Sequence, residues 1–325
     1  MPRSREGSPW TGLSAVYSKE LADHLSSVLM RVLEWLVILS GLGAVYTAVQ
    51  QLKTTTAEDR FLFLHLFTAT SDAVPINFIS LIGFLVPLVA IGLGFDSVNG
   101  EFNRRTMSRV LAQPIYRDAL LFGKFLAGLS TLAISLVALF LLVIGLGLVL
   151  LGVPPNGEEV LRAIGFLVAS IAYGGVWLAV AMLFSVIFRS SAAAAMCSIG
   201  FWLLLTVLWP ILVRFVSQAI AATPESIATG QQTVGQLYLE VALSRISPNT
   251  LFMETMVGLL SPSTSSLQLG LQFIIPSQML GTMGTPLQFG QSLLLVWPQL
   301  TALIATVIVF FAITYVTFQR QEIRA

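Results

Sequence analysis

The sequence predicts an all-α polytopic membrane protein with six transmembrane helices. Three observations carry that expectation. Only 10% of residues are charged while 56% are hydrophobic, and the mean hydropathy is +0.85; soluble domains carry roughly 25% charged residues. Several apolar runs reach the roughly 20 residues that a bilayer-spanning helix needs. Lys and Arg are also unevenly placed. If the termini lie inside, 12 of the 17 basic residues fall on the inner side, leaving Lys53, Arg60, Arg162, Arg214 and Arg245 outside, which sets the termini in the cytoplasm.

Taken in order, residues 13–32 place Leu13, Val16, Tyr17, Leu21, Leu25, Val28, Leu29 and Val32 at helical spacing. Lys19, Asp23 and Arg31 lie mostly opposite, so the stretch reads as an amphipathic helix in the cytoplasmic interface. The first span is Leu33–Leu52 and the second Ile76–Phe95, kinked at Pro87. The third lies within Ala119–Leu151. Val153–Arg162, with Pro154, Pro155, Asn156 and Gly157, reads as a turn. The fourth span is Ala163–Phe188. Arg189 and its two serines form a short break, and the fifth span is Ala192–Phe215, opening on small residues. Between 216 and 290 the composition turns to Gln, Ser, Thr, Gly and Pro. Helices are expected near 232–246 and from Ser247-Pro248 onward, where serine caps and proline takes the first helical position. Leu267–Leu280 is too short and broken to span. The sixth span is Ser292–Phe318, bent at Pro298. The expected organisation is a tail and amphipathic helix (1–32), spans one to five (33–215), an external region (216–290), and the last span with a cytoplasmic tail (291–325).

Composition and motif spacing argue against several functions. A net charge of +1 offers no field for nucleic acid. His24 and His65 fall on opposite sides of the membrane in this topology. Cys197 has no histidine neighbour in sequence. No catalytic constellation, metal site or resident cofactor is therefore expected, which makes an intramembrane enzyme the weakest reading. Gly123-Lys124 lacks the glycine and Ser/Thr of a phosphate loop. No chain of buried carboxylates marks an ion path, and no internal repeat suggests an inverted-repeat transporter.

What stands out is the segment Phe95–Lys124, the most charged in the chain, set between two spans. Glu101 reaches Arg104 and Arg105 at helical spacing, a pairing of about 0.2–0.5 kcal/mol each. Met107, Leu111 and Pro114 lie on the other side, giving a short amphipathic helix suited to a partner's groove. Arg109 and Arg117 complete the basic set. On the residues alone these charges serve either a docked partner or topology and anionic headgroups.

The order Glu101, Thr106, Leu111, Gln113-Pro114-Ile115, Arg117 and Gly123-Lys124 resembles the first cytoplasmic loop of ABC-2 type permeases. Lys19-Glu20 before the first span, Ile246-Ser247-Pro248 and Trp297-Pro298 before and in the last, and Phe318-Gln319-Arg320 at the end extend the likeness. It is similar to the subgroup of nitrous-oxide-reductase maturation and gliding-motility permeases. Arg105 departs from the glycine usual before the threonine. The resemblance implies a permease subunit without enzymatic activity, working as a homodimer in the cell membrane with a separate cytoplasmic ATPase dimer that holds ATP and Mg. It implies coupling through residues 96–118, namely Glu101, Arg104, Arg105, Met107, Arg109, Leu111, Pro114 and Arg117, with Arg189 as a second contact. Residues 216–290 leave room for an external accessory protein. The alternative is a membrane scaffold that binds a partner without transport.

Overall fold

The computed structural model describes residues 10, 12–52, 61–68, 77–103, 116–152, 154–221, 233–261 and 287–320. Among these the chain is helical, without strands, and six helices are long and apolar enough to cross a membrane. In chain order the elements are α1 (Leu13–Ser26), α2 (Val28–Leu52), a 3-10 turn (Leu62–Leu64) running into α3 (His65–Thr68), α4 (Phe78–Gly94), α5 (Asn99–Asn103), α6 (Arg117–Leu151) and α7 (Gly157–Ile187). Then come α8 (Ser191–Leu203), a π-helical turn (Leu204–Leu208), α9 (Trp209–Ala221), α10 (Val234–Ser244), α11 (Pro248–Leu260) and α12 (Phe289–Arg320).

The six spans are α2, α4, α6, α7, the α8–π–α9 unit and α12. Trp10, just before α1, packs edge-on against Phe122 of α6 at 5.2 Å, and Phe122 meets Phe311 of α12 at 4.8 Å. Helix α1 and the end of α12 therefore share one end of the bundle, the terminal face, with the beginning of α6. With 35 residues α6 is about 52 Å long, well beyond the roughly 30 Å hydrocarbon core, and its first turns stand on the terminal face beside α1.

Span α7 is the axis: 78% of its membrane window is buried, against 11% for α12. Small residues let its neighbours close in. A Cβ on Gly174 would meet Leu132 of α6 at 2.8 Å and Val86 of α4 at 2.9 Å. Near the opposite face Phe67, Phe78, Phe140 and Phe166 bring α3, α4, α6 and α7 into one aromatic cluster, with centroids 4.8–6.1 Å apart.

Near Pro87 and Pro210 neighbouring elements donate to backbone carbonyls of the spans, as the bilayer favours. Pro87 has no N–H for the carbonyl of Gly83, one turn earlier; Tyr173 of α7 donates its hydroxyl to that oxygen at 3.0 Å. Pro210 sits just past the π turn. There Ser247 donates to the carbonyl of Leu205 at 2.9 Å, and the Trp209 indole donates to the carbonyl of Leu243 at 3.0 Å. Ser247-Pro248 thus opens α11 and also ties it to the fifth span.

Several boundaries differ from expectation. The first helix ends at Ser26, Ser27 is extended, and Val28–Val32 belongs to the span α2. Its buried residues are Val16 and Glu20, while Leu25 of the apolar stripe is 41% exposed. Residues 157–162 are helix, not turn. Asn156 accepts from the Glu159 N–H while Glu159 accepts from the Asn156 N–H, a capping box that starts α7 early. The fifth span continues to Ala221 through Pro210. Leu267–Leu280 lies outside the described residues.

Arg162, expected among the outer charges, is fully buried in α7. Its guanidinium donates to the carbonyls of Leu259 and Leu287, to the Ser292 hydroxyl and to Glu158. It thereby joins the end of α11 to the beginning of α12.

Gly174→Ala should destabilise the protein by about 1–3 kcal/mol, because the added methyl overpacks a closed contact. Gly145→Ala, where nothing lies within 4 Å of the new Cβ, should be neutral or stabilising by up to about 1 kcal/mol. Thermal unfolding of both variants in one detergent gives the comparison; equal shifts would contradict the packing.

Candidate functional site

The terminal face gathers a connected set of polar side chains. At its centre is Lys124 of α6, its side chain only 3% exposed. Its ammonium lies 2.9 Å from Oε1 of Glu20 on α1 and 2.8 Å from Oε1 of Glu101 on α5. Three elements distant in sequence are joined by one buried cation. Lys19 reaches the same Glu20 oxygen at 3.0 Å and Asp23 at 3.3 Å.

The glycine before the lysine explains how α1 comes so near. A Cβ on Gly123 would stand 2.8 Å from Val16 Cγ1 and 3.4 Å from the Leu13 carbonyl. Tyr17 adds a hydrogen bond from its hydroxyl to Ser130 at 3.0 Å. Burial disfavours the Glu20 carboxylate, but Lys124 and Lys19 outweigh it and hold its pKa below the usual value. Burial disfavours the Lys19 ammonium too, yet Glu20 and Asp23 raise its pKa. His24, one turn beyond Glu20, has its pKa lowered mainly by burial, with Lys124 and Lys19 adding to it against Glu20 and Asp23.

Beside this cluster the turn after α4 locks onto the break between α7 and α8. The N–H groups of Val98 and Asn99 donate to Ser185 Oγ at 3.0 and 3.2 Å. Asn99 donates its amide to the Phe188 carbonyl at 3.4 Å, and Asn103 donates to Ser191 Oγ at 3.3 Å. The Ser191 hydroxyl in turn donates to Asp96. Within this junction Arg189 is exposed. On the far side of α6, Asp118 sits in the first helical turn, where a carboxylate suits the helix dipole. It accepts from Tyr315 at 3.0 Å and from Gln319, which fastens the end of α12 to the beginning of α6.

Of the residues expected from sequence, Glu101 lies in the lysine cluster, Arg117 opens α6 half-exposed, and Arg189 projects from the break. Arg104, Arg105, Met107, Arg109, Leu111 and Pro114 lie outside the described residues, as does the pairing of Glu101 with Arg104 and Arg105. Spacing alone missed Lys124, Glu20, Asp96, Ser185 and Ser191. The dipeptides Lys19-Glu20 and Gly123-Lys124 were visible signals. That the two charges meet was not, since they stand 104 positions apart.

The arrangement ties several elements together through polar side chains. It presents no group of His, Cys, Asp and Glu able to hold a metal among the described residues. It forms a connected polar patch in which α1, α5, α6 and the α7–α8 break are mutually tied.

Comparison with known proteins gives the same direction. The family model for ABC-2 family transporter proteins matches residues 14–323. The probable ABC transporter permease protein NosY of Pseudomonas aeruginosa is 30% identical over 206 residues, covering 62% of this chain and 67% of the relative. Its namesake in Stutzerimonas stutzeri is 29% identical over 192 residues, 57% of this chain and 63% of the relative. The aligned part thus spans about two thirds of these relatives. With six apolar spans and a match over nearly its whole length, the chain belongs to the ABC-2 family of transporter proteins.

Proposed function

We propose that the chain is the permease subunit of an ABC transporter, and that its terminal face couples ATP hydrolysis on a separate cytoplasmic ATPase to movement of the spans. The observation that carries this reading is Lys124, buried between carboxylates of α1 and α5 at the end of the longest span. Family membership and the excess of Lys and Arg on the terminal side support a cytoplasmic terminal face. The working unit is a permease pair with an ATPase pair, ATP and Mg being held by the ATPases.

In this reading the coupling segment 96–118 acts together with the Arg189 break, because residues 96–103 of it are hydrogen-bonded to that break. A push on α5 reaches Lys124 through Glu101. Lys124 passes it to α6 along its axis and to α1 through Glu20. Tilting of α6 and α7 then alters the opposite face, where Arg162 links α11 and α12. The outcome is export, or a conformational signal to an external partner at residues 216–290.

The test is co-purification and ATPase assay of the chain with a candidate cytoplasmic ABC ATPase subunit. Arg189→Glu, at an exposed position, should leave insertion intact and reduce ATPase binding or stimulation by about tenfold. Lys124→Met should destabilise the chain by about 3–5 kcal/mol, because two buried carboxylates lose their cation. Adding Glu20→Gln and Glu101→Gln should recover much of that stability without recovering coupling. Normal stimulation in the folded triple variant would contradict the proposed route. If no ATPase copurifies at all, the scaffold reading replaces it.

The depressed pKa of Glu20 has a sign that can be measured. A carboxylate held below its ordinary value of 4.5 stabilises the folded state above that pH. Its contribution disappears as pH falls through the lowered value. The stability gap between wild type and Glu20→Gln should therefore be full at pH 6 and shrink below about pH 4.5. A gap that widens in acid would contradict the pairing.

A further inference from the structure

A crevice of about 240 Å³ opens between α2, α4 and α6, away from the lysine cluster. Its walls are aliphatic side chains such as Met30, Val89, Leu136 and Leu142, and its polar group is Glu34 of α2 with Ser135 of α6. Glu34 lies inside a span and accepts one hydrogen bond, from the Ser135 hydroxyl at 3.2 Å. Arg31, the nearest cation on its own helix, turns instead to the Ser26 carbonyl at 3.3 Å. Among the described residues Glu34 has no ion pair, and a carboxyl group within the bilayer is costly and marks a site by default.

The position of the crevice identifies what fits. On α6 its walls run from Leu132 to Leu142, about 15 Å along the axis. That is half the roughly 30 Å hydrocarbon core, the depth of one leaflet. The polar group lies in the terminal-face half of the crevice: Ser135 is three residues past Leu132 and five past Ser130, where Tyr17 of α1 is hydrogen-bonded, leaving seven residues of wall, about 10 Å, to Leu142. A slot about one leaflet deep, with a carboxyl group in its terminal-face half and aliphatic walls beyond it, complements an amphiphile with a cationic head and an alkyl chain. We infer that this crevice seats one acyl chain of a phospholipid with a primary ammonium headgroup, the ammonium pairing with Glu34 and Ser135. A primary ammonium donates hydrogen bonds to both oxygens; a quaternary one cannot. The inference stands independently of the transport reading.

Native mass spectrometry of the full chain in mild detergent tests it, with dioleoyl phosphatidylethanolamine, phosphatidylcholine or phosphatidylglycerol added. The wild type should retain one ethanolamine lipid, preferred by about fivefold over the other two, the scale of a half-exposed ion pair. Glu34→Gln should abolish that preference. Ala138→Phe, which fills the crevice from an exposed position, should lose the retained lipid with no change in thermal stability. Equal retention of the three lipids, or an unaltered preference in Glu34→Gln, would overturn the inference. So would an Ala138→Phe chain that loses self-association instead of lipid, since a second copy would then occupy the crevice.

Discussion

The burial of Lys124 between two carboxylates constrains everything on the terminal face. An ammonium 3% exposed is tolerable only if its charge is answered at short range, and Glu20 and Glu101 both do so within 3 Å. Meeting that demand sets the position of α1 across α6, and with it the glycine at 123 that lets the helices touch. It also fixes the turn after α4, which brings the neighbouring serine and asparagine contacts into register. The net stabilisation from such an assembly is modest, because desolvation opposes the attraction. What it supplies is a defined geometry for three elements that apolar packing alone would leave free to slide.

The opposite face solves a similar problem with a different cation. Arg162 is buried completely, and its planar guanidinium satisfies two backbone carbonyls, a hydroxyl and a carboxylate at once. The same face carries Glu254, 1% exposed, held by Arg245 and Gln299. Both ends of the bundle thus carry buried charge, while small-residue packing around α7 closes the middle. Arginine suits the clamp on the opposite face because its donors reach several acceptors along fixed directions. Lysine suits the terminal cluster because a point charge can be shared between two oxygens.

Much of the fold was legible because hydropathy over 20 residues needs no knowledge of contacts. The six spans, the break at Arg189 and the Ser-Pro start of α11 all follow from local composition or capping. The early start of α7 was not read, because the two prolines and Asn156-Gly157 suggest a turn until the reciprocal bond of Glu159 is known. The site was legible in part. Glu101 and Arg189 stood out as charges in an apolar chain. Glu20 and Lys124 had no sequence relation that could pair them, and Arg162 looked like an ordinary flanking charge, since burial is decided by elements that arrive later in the chain.

The π-helical turn at Leu204–Leu208 carries a consequence for how this span tolerates change. It accommodates one more residue than an α-helical turn would hold, so everything after it is rotated by about 100° relative to a continuous helix. Stripes of residues drawn through Pro210 therefore do not align across the turn. A single deletion between 204 and 208 would restore the regular ladder and swing Trp209 and Arg214 away from Leu243 and Glu240, their partners on α10. Length, more than side-chain identity, is what this stretch must conserve, and a one-residue gap here would disturb the fold more than most substitutions.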